Sequence, residues 1–192
     1  MHIRLATPAD APGINAIYRP CVTDSAVSFE LVPPSDAVMS DRIVRVLAKL
    51  PWFVWEQDGA LLGYAYATQY RERPAYQWSV ETSVYVHGSG RRRGIGRALY
   101  TTLFQTLEQQ GYYTVYGGIA LPNPASVKLH EAMGFEPVGV YRKAGYKLGA
   151  WRDVGWWQRS LRDYGEPPAP VAPRPLAISN GALPGLLPRQ RF

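Results

Sequence analysis

The stretch from Gln77 to Gly111 constrains the fold of this 192-residue chain more than any other. It opens on a period-two run in which Trp78, Val80, Thr82, Val84 and Val86 share one face, with Ser79, Glu81, Ser83 and Tyr85 on the other. A Gly/Arg-rich turn, His87–Gly96, follows directly. Leu99, Leu103 and Leu107 then recur at helical spacing, and Gly111 stands where a C-cap is needed. A strand that runs through a glycine turn into an amphipathic helix belongs to a mixed α/β body, with helices interleaved through a sheet.

The flanking sequence extends the same pattern. His2–Ala6 reads as an edge strand. Thr7-Pro8-Ala9-Asp10 reads as a helix start, with Ile14, Ile17 and Tyr18 on one face behind it. Ser35 caps a second helix, whose stripe is Ile43, Val46, Leu47 and Leu50. Trp52–Glu56 and Leu61–Thr68 are strands joined by the hairpin signal Asp58-Gly59. After the central helix come a strand at Tyr113–Ala120, a short helix within Asn123–Met133, and strands around Val138–Tyr146 and Val154–Leu161. The expected order is β-α-α-β-β-β-α-β-α-β-β.

Composition changes sharply after Leu161. Residues 165–192 hold seven prolines and show no apolar periodicity, so they are expected to form an extended or disordered tail behind a domain at 1–164. Three arginines against one glutamate give the tail two of the chain's six net positive charges. Thirteen Tyr, six Trp and five Phe exclude disorder of the whole chain. No apolar run approaches the roughly 20 residues of a membrane span, and no signal-peptide core opens the sequence. A cytoplasmic protein without membrane contact is expected. Cys21, the one cysteine, leaves no internal disulfide and no cysteine-based metal cluster, and no metal site is expected.

The glycine turn carries the first chemistry. A helix beginning near Gly94 offers free N–H groups and a positive dipole end, and Arg91, Arg92 and Arg93 add guanidinium groups suited to phosphate. The Walker pattern is excluded, because no Lys-Ser or Lys-Thr follows the second glycine. Arg91-x-x-Gly94-x-Gly96 also departs from the dinucleotide fingerprint. An anion site and a merely solvated basic loop both remain open from this segment alone.

Two blocks together resemble the Gcn5-related N-acetyltransferases: Arg91-x-x-Gly94-x-Gly96 after a strand, and Asn123-x-x-Ser126-x-x-Leu129-His130-Glu131-x-x-Gly134-Phe135 about thirty residues later. Within that superfamily, Tyr76–Val86, Leu121-Pro122-Asn123 and Gly145–Gln158 are similar to the phosphinothricin and methionine sulfoximine/sulfone acetyltransferases. The resemblance runs from about Ile3 to Leu161. It implies a single mixed, mostly antiparallel central sheet flanked by helices, acetyl-CoA as co-substrate and a homodimer. The acceptor it implies is the α-amine of a small amino acid, acetylated by direct transfer.

The same resemblance assigns residues. Glu81 stands at the general-base position, although by pattern alone it is a carboxylate on the wet face of a strand. The backbone of Val84, Tyr85 and Val86 pairs with the pantetheine arm, with Asn123 and Ser126 farther along it. Arg91, Arg92, Arg93, Gly94, Ile95, Gly96 and Arg97 wrap the pyrophosphate. His130 stands where the wider superfamily often carries a tyrosine that protonates the leaving thiolate, and either that role or simple hydrogen bonding fits a helical His. The acceptor side is expected from Arg71, Glu72, Arg73, Tyr76, Glu81, Thr82 and Ser83, with an arginine holding the substrate's anionic group. Trp151, Trp156 and Trp157 are expected in the core or at a subunit contact. A protein or peptide N-acetyltransferase is the rival enzyme. A non-catalytic acyl-CoA-binding module conflicts with intact Glu81 and His130. No nucleic-acid partner is expected, because the only dense basic run, Arg91–Arg93, is accounted for by cofactor phosphates.

Overall fold

The computed structural model describes residues 1–165. The elements are β1 (His2–Leu5), α1 (Ala11–Thr23), α2 (Asp36–Leu47), β2 (Trp52–Gln57), β3 (Ala60–Gln69), β4 (Ser79–Val86), α3 (Ile95–Gln109), β5 (Thr114–Leu121), α4 (Pro124–Ala132), β6 (Glu136–Lys147) and β7 (Ala150–Ser160). Their order is the one expected from sequence. The expected tail lies outside the described residues except for Gly165.

One seven-stranded sheet has the order β1-β2-β3-β4-β5-β7-β6. Every pairing is antiparallel except β4 with β5, which the crossover through α3 makes parallel. Each face of the sheet carries its own core. On one, Leu99, Leu103 and Leu107 of α3 pack with Val80 of β4, Val115 of β5 and Trp157 of β7. On the other, Ile14 and Ile17 of α1 and Met39 and Ile43 of α2 cover Trp52, Val54 and Tyr64. The parity of β4 fixes which side chains see which layer. Val80, Val84 and Val86 go toward α3, and Glu81, Ser83 and Tyr85 go toward α1 and α2.

Local chemistry explains the element ends. The Ser35 side chain accepts from Val38 N–H at 3.3 Å, a cap worth about 1 kcal/mol. Asp10 accepts from Thr7 N–H at 2.7 Å. Pro8–Asp10 is nevertheless a 3-10 turn, and the α-helix begins only at Ala11. Pro12 has no N–H to give the Pro8 carbonyl, so Ala11 makes the tighter bond instead. Asp58 and Gly59 both take positive φ, as a two-residue hairpin requires. Leu148 and Gly149 close β6 onto β7 in the same way (φ 52° and 73°). That turn is hidden in the sequence, because leucine is an unusual occupant of the left-handed region.

The connector between α1 and α2 lies across the sheet and is pinned from several sides. Lys147 Nζ donates to the Ser28 carbonyl at 2.6 Å, and the Tyr18 and Ser28 hydroxyls are 2.6 Å apart. The Phe29 ring rests on Gly145, where it occupies the space a Cβ would need.

Candidate active site

The centre of the site is a fault in the sheet. β4 pairs with β5 only from Ser79 to Glu81, opposite Thr114 to Tyr116, whereas β5 goes on pairing with β7 as far as Leu121. From Thr82 to Val86, β4 keeps its ladder with β3 on one edge and has no strand partner on the other. The two strands part like a wedge. Thr82 Oγ1 spans its apex, donating to the Tyr116 carbonyl at 3.3 Å.

A small cleft of about 50 Å³ fills the opening. Thr82, Ser83, Val84 and Tyr85 form one lip and Gly118, Ile119 and Ala120 the other, with Tyr100, Asn123, Ser126, His130 and Val27 closing it. An unpaired strand edge beside a narrow cleft suits an extended chain carrying amides, which can add to β4 as a further strand. Val84, Tyr85 and Val86 can offer only their backbone to it. The two valines pack under α3, and the Tyr85 ring lies 5.1 Å from Tyr64 and 5.2 Å from Tyr18.

At the far end of β4 the chain passes through a 3-10 turn, Gly88–Gly90, into α3. Gly94 is the N-cap, with φ 78° and no side-chain cap, and no acidic residue stands in the first turn. The first N–H groups of α3 are therefore left to an anion. Arg91, Arg92, Arg93 and Arg97 are exposed around them. Arg93 is partly committed, donating to Gln57 at 2.8 Å. The two glycines of the turn serve different ends. A Cβ on Gly94 would meet nothing within 4 Å, whereas one on Gly96 would meet Leu129 at 3.1 Å, so Gly96 lets α4 close on α3. Ile95 likewise contributes only backbone, its side chain being 2% exposed in the core.

Asn123 caps α4, accepting from Ser126 N–H at 3.2 Å, which leaves its amide N–H₂ for a ligand. His130 is 4% exposed and lies against β5 at Gly117, where a Cβ would stand 2.8 Å from the ring. Its Nδ1 is 2.8 Å from the Ser126 carbonyl and its Nε2 3.0 Å from the Tyr100 hydroxyl. A carbonyl can only accept, so Nδ1 carries the proton and Nε2 accepts from Tyr100. Burial lowers the imidazole pKa from 6.5, partly offset by the Ser126 bond. Of the two roles left open for His130, these bonds and this shift fit plain hydrogen bonding better than an imidazolium donor. Tyr100 lines the cleft beside His130.

Glu81 lies on the opposite face of the wedge, at the last paired position before the apex and opposite Tyr116. Burial raises its carboxyl pKa from 4.5, and the nearby Arg71 charge opposes that rise. Arg71 sits over the Tyr70 ring at 4.9 Å; Tyr70 stacks on Tyr116 at 4.1 Å and meets Tyr76 edge-on at 5.7 Å. Ser83 faces this side too. Thr82 does not: strand parity turns it to the α3 face, where its hydroxyl holds the apex, which corrects its expected place among acceptor contacts. Glu72 and Arg73 are exposed on the turn before β4; the Arg73 carbonyl accepts from Tyr76 N–H at 2.9 Å, and the two side chains make no ion pair among the described residues. Trp156, expected in the core or at a subunit contact, lies across Gly118, where a Cβ would meet its ring at 3.3 Å, on the same face as Glu81.

Sequence reading did not single out Tyr100, Gly117 or Tyr116. The Gly117-Gly118 pair inside a strand was the available signal, since glycine there marks a close approach by another group. Among the described residues no group of three or more His, Cys, Asp or Glu side chains could hold a metal, and no helix is long and apolar enough to cross a membrane.

The family model described as "Acetyltransferase (GNAT) domain" matches residues 3–156. A phosphinothricin N-acetyltransferase of Streptomyces viridochromogenes is 42% identical over 173 residues, covering 90% of this chain and 94% of that one. An L-methionine sulfoximine/L-methionine sulfone acetyltransferase of Salmonella typhimurium is 31% identical over 180 residues, covering 88% and 99%. Among solved structures, a phosphinothricin acetyltransferase from Sinorhizobium meliloti in complex with AcCoA superposes with a TM-score of 0.80 at 36% identity, covering 83% of this chain and 88% of that one.

Proposed function

The chain belongs to the GNAT acetyltransferase family and is an N-acetyltransferase of the phosphinothricin acetyltransferase type; we propose that it transfers acetyl directly from acetyl-CoA to the α-amine of a small amino acid such as phosphinothricin or methionine sulfoximine/sulfone, with Glu81 as general base. The observation that carries this is the position of Glu81, half-buried at the apex of the wedge. The nearest unladdered edge of β4 begins one residue away.

The residues fit acetyl-CoA, which supplies an activated acetyl thioester. The free edge from Thr82 to Val86 has amides to pair with the pantetheine arm. The first turn of α3, with Arg91, Arg92 and Arg97, carries the positive charge for its phosphates. Asn123 offers its amide N–H₂ along the arm, and the Ser126 carbonyl holds His130 in place. An N–H of the β4 edge donates to the thioester carbonyl oxygen, where charge develops.

Glu81 takes the proton that the acceptor amine must lose, directly or through one water. Burial makes its carboxylate a stronger base than a solvated one. Arg71, close enough to oppose that rise, holds the acceptor's α-carboxylate beside Tyr76 and Ser83. Glu72 and Arg73 complete the rim once substrate is bound. On the other face, the departing thiolate takes its proton from the Tyr100 hydroxyl, which gives up its bond to His130 Nε2 in doing so and regains a proton from solvent.

Glu81→Gln tests the base. The expected result is a fall in kcat of roughly 10²–10⁴-fold at a near-normal KM for acetyl-CoA; full activity overturns the assignment. A thiol-release screen with acetyl-CoA against phosphinothricin, methionine sulfoximine, methionine sulfone and ordinary amino acids tests the acceptor class. No turnover with any small amine would favour a peptide acceptor instead. The enzyme acts as a homodimer in this proposal, supported by the apolar side chains Val138, Tyr141, Tyr146, Leu148 and Trp151 left exposed on β6, β7 and the turn between them. A monomeric mass by light scattering at micromolar concentration would count against it.

A further inference from the structure

The face of the sheet that carries Glu81 holds a second, larger cavity of about 450 Å³, between α2 and the strands β2 and β3. Its size falls within the range of small-molecule sites. Its floor is a stack of aromatic rings. Trp52 and Tyr66 lie 4.2 Å apart at 15°, and Tyr64 continues the stack 6.2 Å from Tyr66. Its rim is cationic, with Arg42, Arg45 and Lys49 on one side and Thr68 and Gln69 on the other. Arg42 is held in a two-pronged pair by Glu30, at 2.6 and 3.3 Å. Arg45 and Lys49 make no ion pair among the described residues. One acid against three bases leaves this rim a place for an anion.

The strand register ties the cavity to the reaction. Thr68 stands opposite Glu81, Tyr66 opposite Ser83, and Trp52 opposite Tyr66. Paired strands lie about 4.8 Å apart, so the backbone at Thr68, on the rim, stands roughly 5 Å from that of Glu81, and β2, beneath the floor, about 10 Å from it. An α-amino acid whose amine meets Glu81 covers that span with a side chain of three to five bonds. Tyr66 connects the two places directly. Burial raises its phenol pKa, a hydrogen bond with Ser83 opposes the rise, and the charges of Glu81 and Arg42 both reach it.

We infer that this cavity is the subsite for the acceptor's side chain, that it selects amino acids whose side chain ends in an anion, and that Arg45 and Lys49 draw that anion to the rim beside Arg42. The inference rests on the acetyl transfer to a small amino acid proposed above, and names the part of the acceptor that the enzyme reads. The aromatic floor packs against the methylenes, and the cationic rim meets the terminal phosphinate or carboxylate. Arg71 is then free to hold the α-carboxylate, so each end of the substrate has its own guanidinium or ammonium group. A neutral sulfone of similar length would gain the packing and only part of the charge attraction.

The test compares two acceptors on one enzyme. Phosphinothricin ends in an anionic phosphinate and methionine sulfone in a neutral dipole, while both present the same α-amino acid end. In the double variant Arg45→Glu/Lys49→Glu, KM for phosphinothricin is expected to rise roughly tenfold or more. KM for methionine sulfone should change less than about a third as much, and KM for acetyl-CoA not at all. Both substitutions are on the outer face of the fold, and an unchanged melting temperature shows that it is intact. The single variant Thr68→Trp, which fills the mouth of the cavity, should raise KM for both acceptors. Equal shifts for the two acceptors in the double variant, or none, overturn the subsite while leaving the acetyl transfer standing. Failure of the wild-type enzyme to turn over any small amino acid overturns both.

Discussion

Gly117→Ala puts the placement of His130 to a quantitative test. The added methyl would stand 2.8 Å from both Cδ2 and Nε2 of the ring, whereas carbon atoms pack at about 3.5–4.0 Å. Something must move by most of an ångström. The ring cannot swing freely, since it is held by Ser126 at 2.8 Å, Tyr100 at 3.0 Å and the edge-on Phe135 ring at 4.9 Å. Overpacking a filled core costs about 1–3 kcal/mol. Giving up the two hydrogen bonds of the ring costs about the same, at roughly 0.5–1.5 kcal/mol each. By either route, a chain of this size should lose about 2–12 °C in Tm. Gly139→Ala is the matched control, because a Cβ there meets nothing within 4 Å; removing backbone freedom from the unfolded chain should leave it neutral or slightly stabilised. Calorimetry on the two variants, with steady-state kinetics on each, reads both consequences. The displaced ring should also lower kcat in Gly117→Ala, since Tyr100 loses its acceptor. A Tm within 1 °C of wild type at unchanged kcat would refute the reasoning.

Three further outcomes are expected. Tyr100→Phe keeps the ring stack with Phe104 and removes the donor to a buried nitrogen, so stability should fall by about 1–3 kcal/mol and kcat with it, at constant KM for acetyl-CoA; an unchanged kcat removes Tyr100 from the proton's path. Arg91→Ala and Arg92→Ala should each raise KM for acetyl-CoA more than Arg93→Ala does, because Arg93 is already shared with Gln57, and titration of the KM against salt should show the effect weakening as ionic strength rises. Glu81→Gln should be more stable than wild type at pH 7. The carboxyl pKa is raised on folding from 4.5, so its contribution is fully present below that value and lost as pH rises through the folded value. The difference in Tm should close as pH falls toward 4.5, and a constant difference from pH 4 to 8 would mean that Glu81 is not held in a desolvated place.

Much of the architecture was legible because each element carries its own periodicity and its own ends. The alternation in β4 assigned Glu81 and Ser83 to one layer and the valines to the other, and the structure keeps that division. The glycine turn announced the anion-binding end of α3. What the sequence could not show is where β4 and β5 stop pairing, since that depends on β7 holding β5 along its whole length. The Arg42–Glu30 pair was equally hidden. It joins a helix to a connector whose course is set by Lys147 and Tyr18, residues far away in the chain that carry no shared pattern. Tyr100 was hidden for a simpler reason. Next to Leu99 in an apolar stripe, it reads as core, and it is core, with a hydroxyl oxygen turned to His130.

That oxygen bears on how the two protons of the reaction are kept apart. Low dielectric raises the carboxyl of Glu81 and lowers the imidazole of His130, in each case favouring the neutral form. The two groups lie on opposite faces of the wedge, so neither can pass a proton to the other without crossing the strand edge that the thioester would occupy. In the proposed reaction the amine's proton leaves on the α1 and α2 face, and the thiolate's arrives on the α3 and α4 face. Within the proposed chemistry this fixes the origin of each limb of the pH–rate profile. The acid limb belongs to Glu81 and should lie above the range of a solvated glutamate. The alkaline limb cannot belong to His130, whose imidazole is already neutral there, and so Tyr100→Phe should remove that limb. A limb that persists in Tyr100→Phe and is lost in His130→Asn would restore an imidazolium donor and displace Tyr100 from the role given to it here.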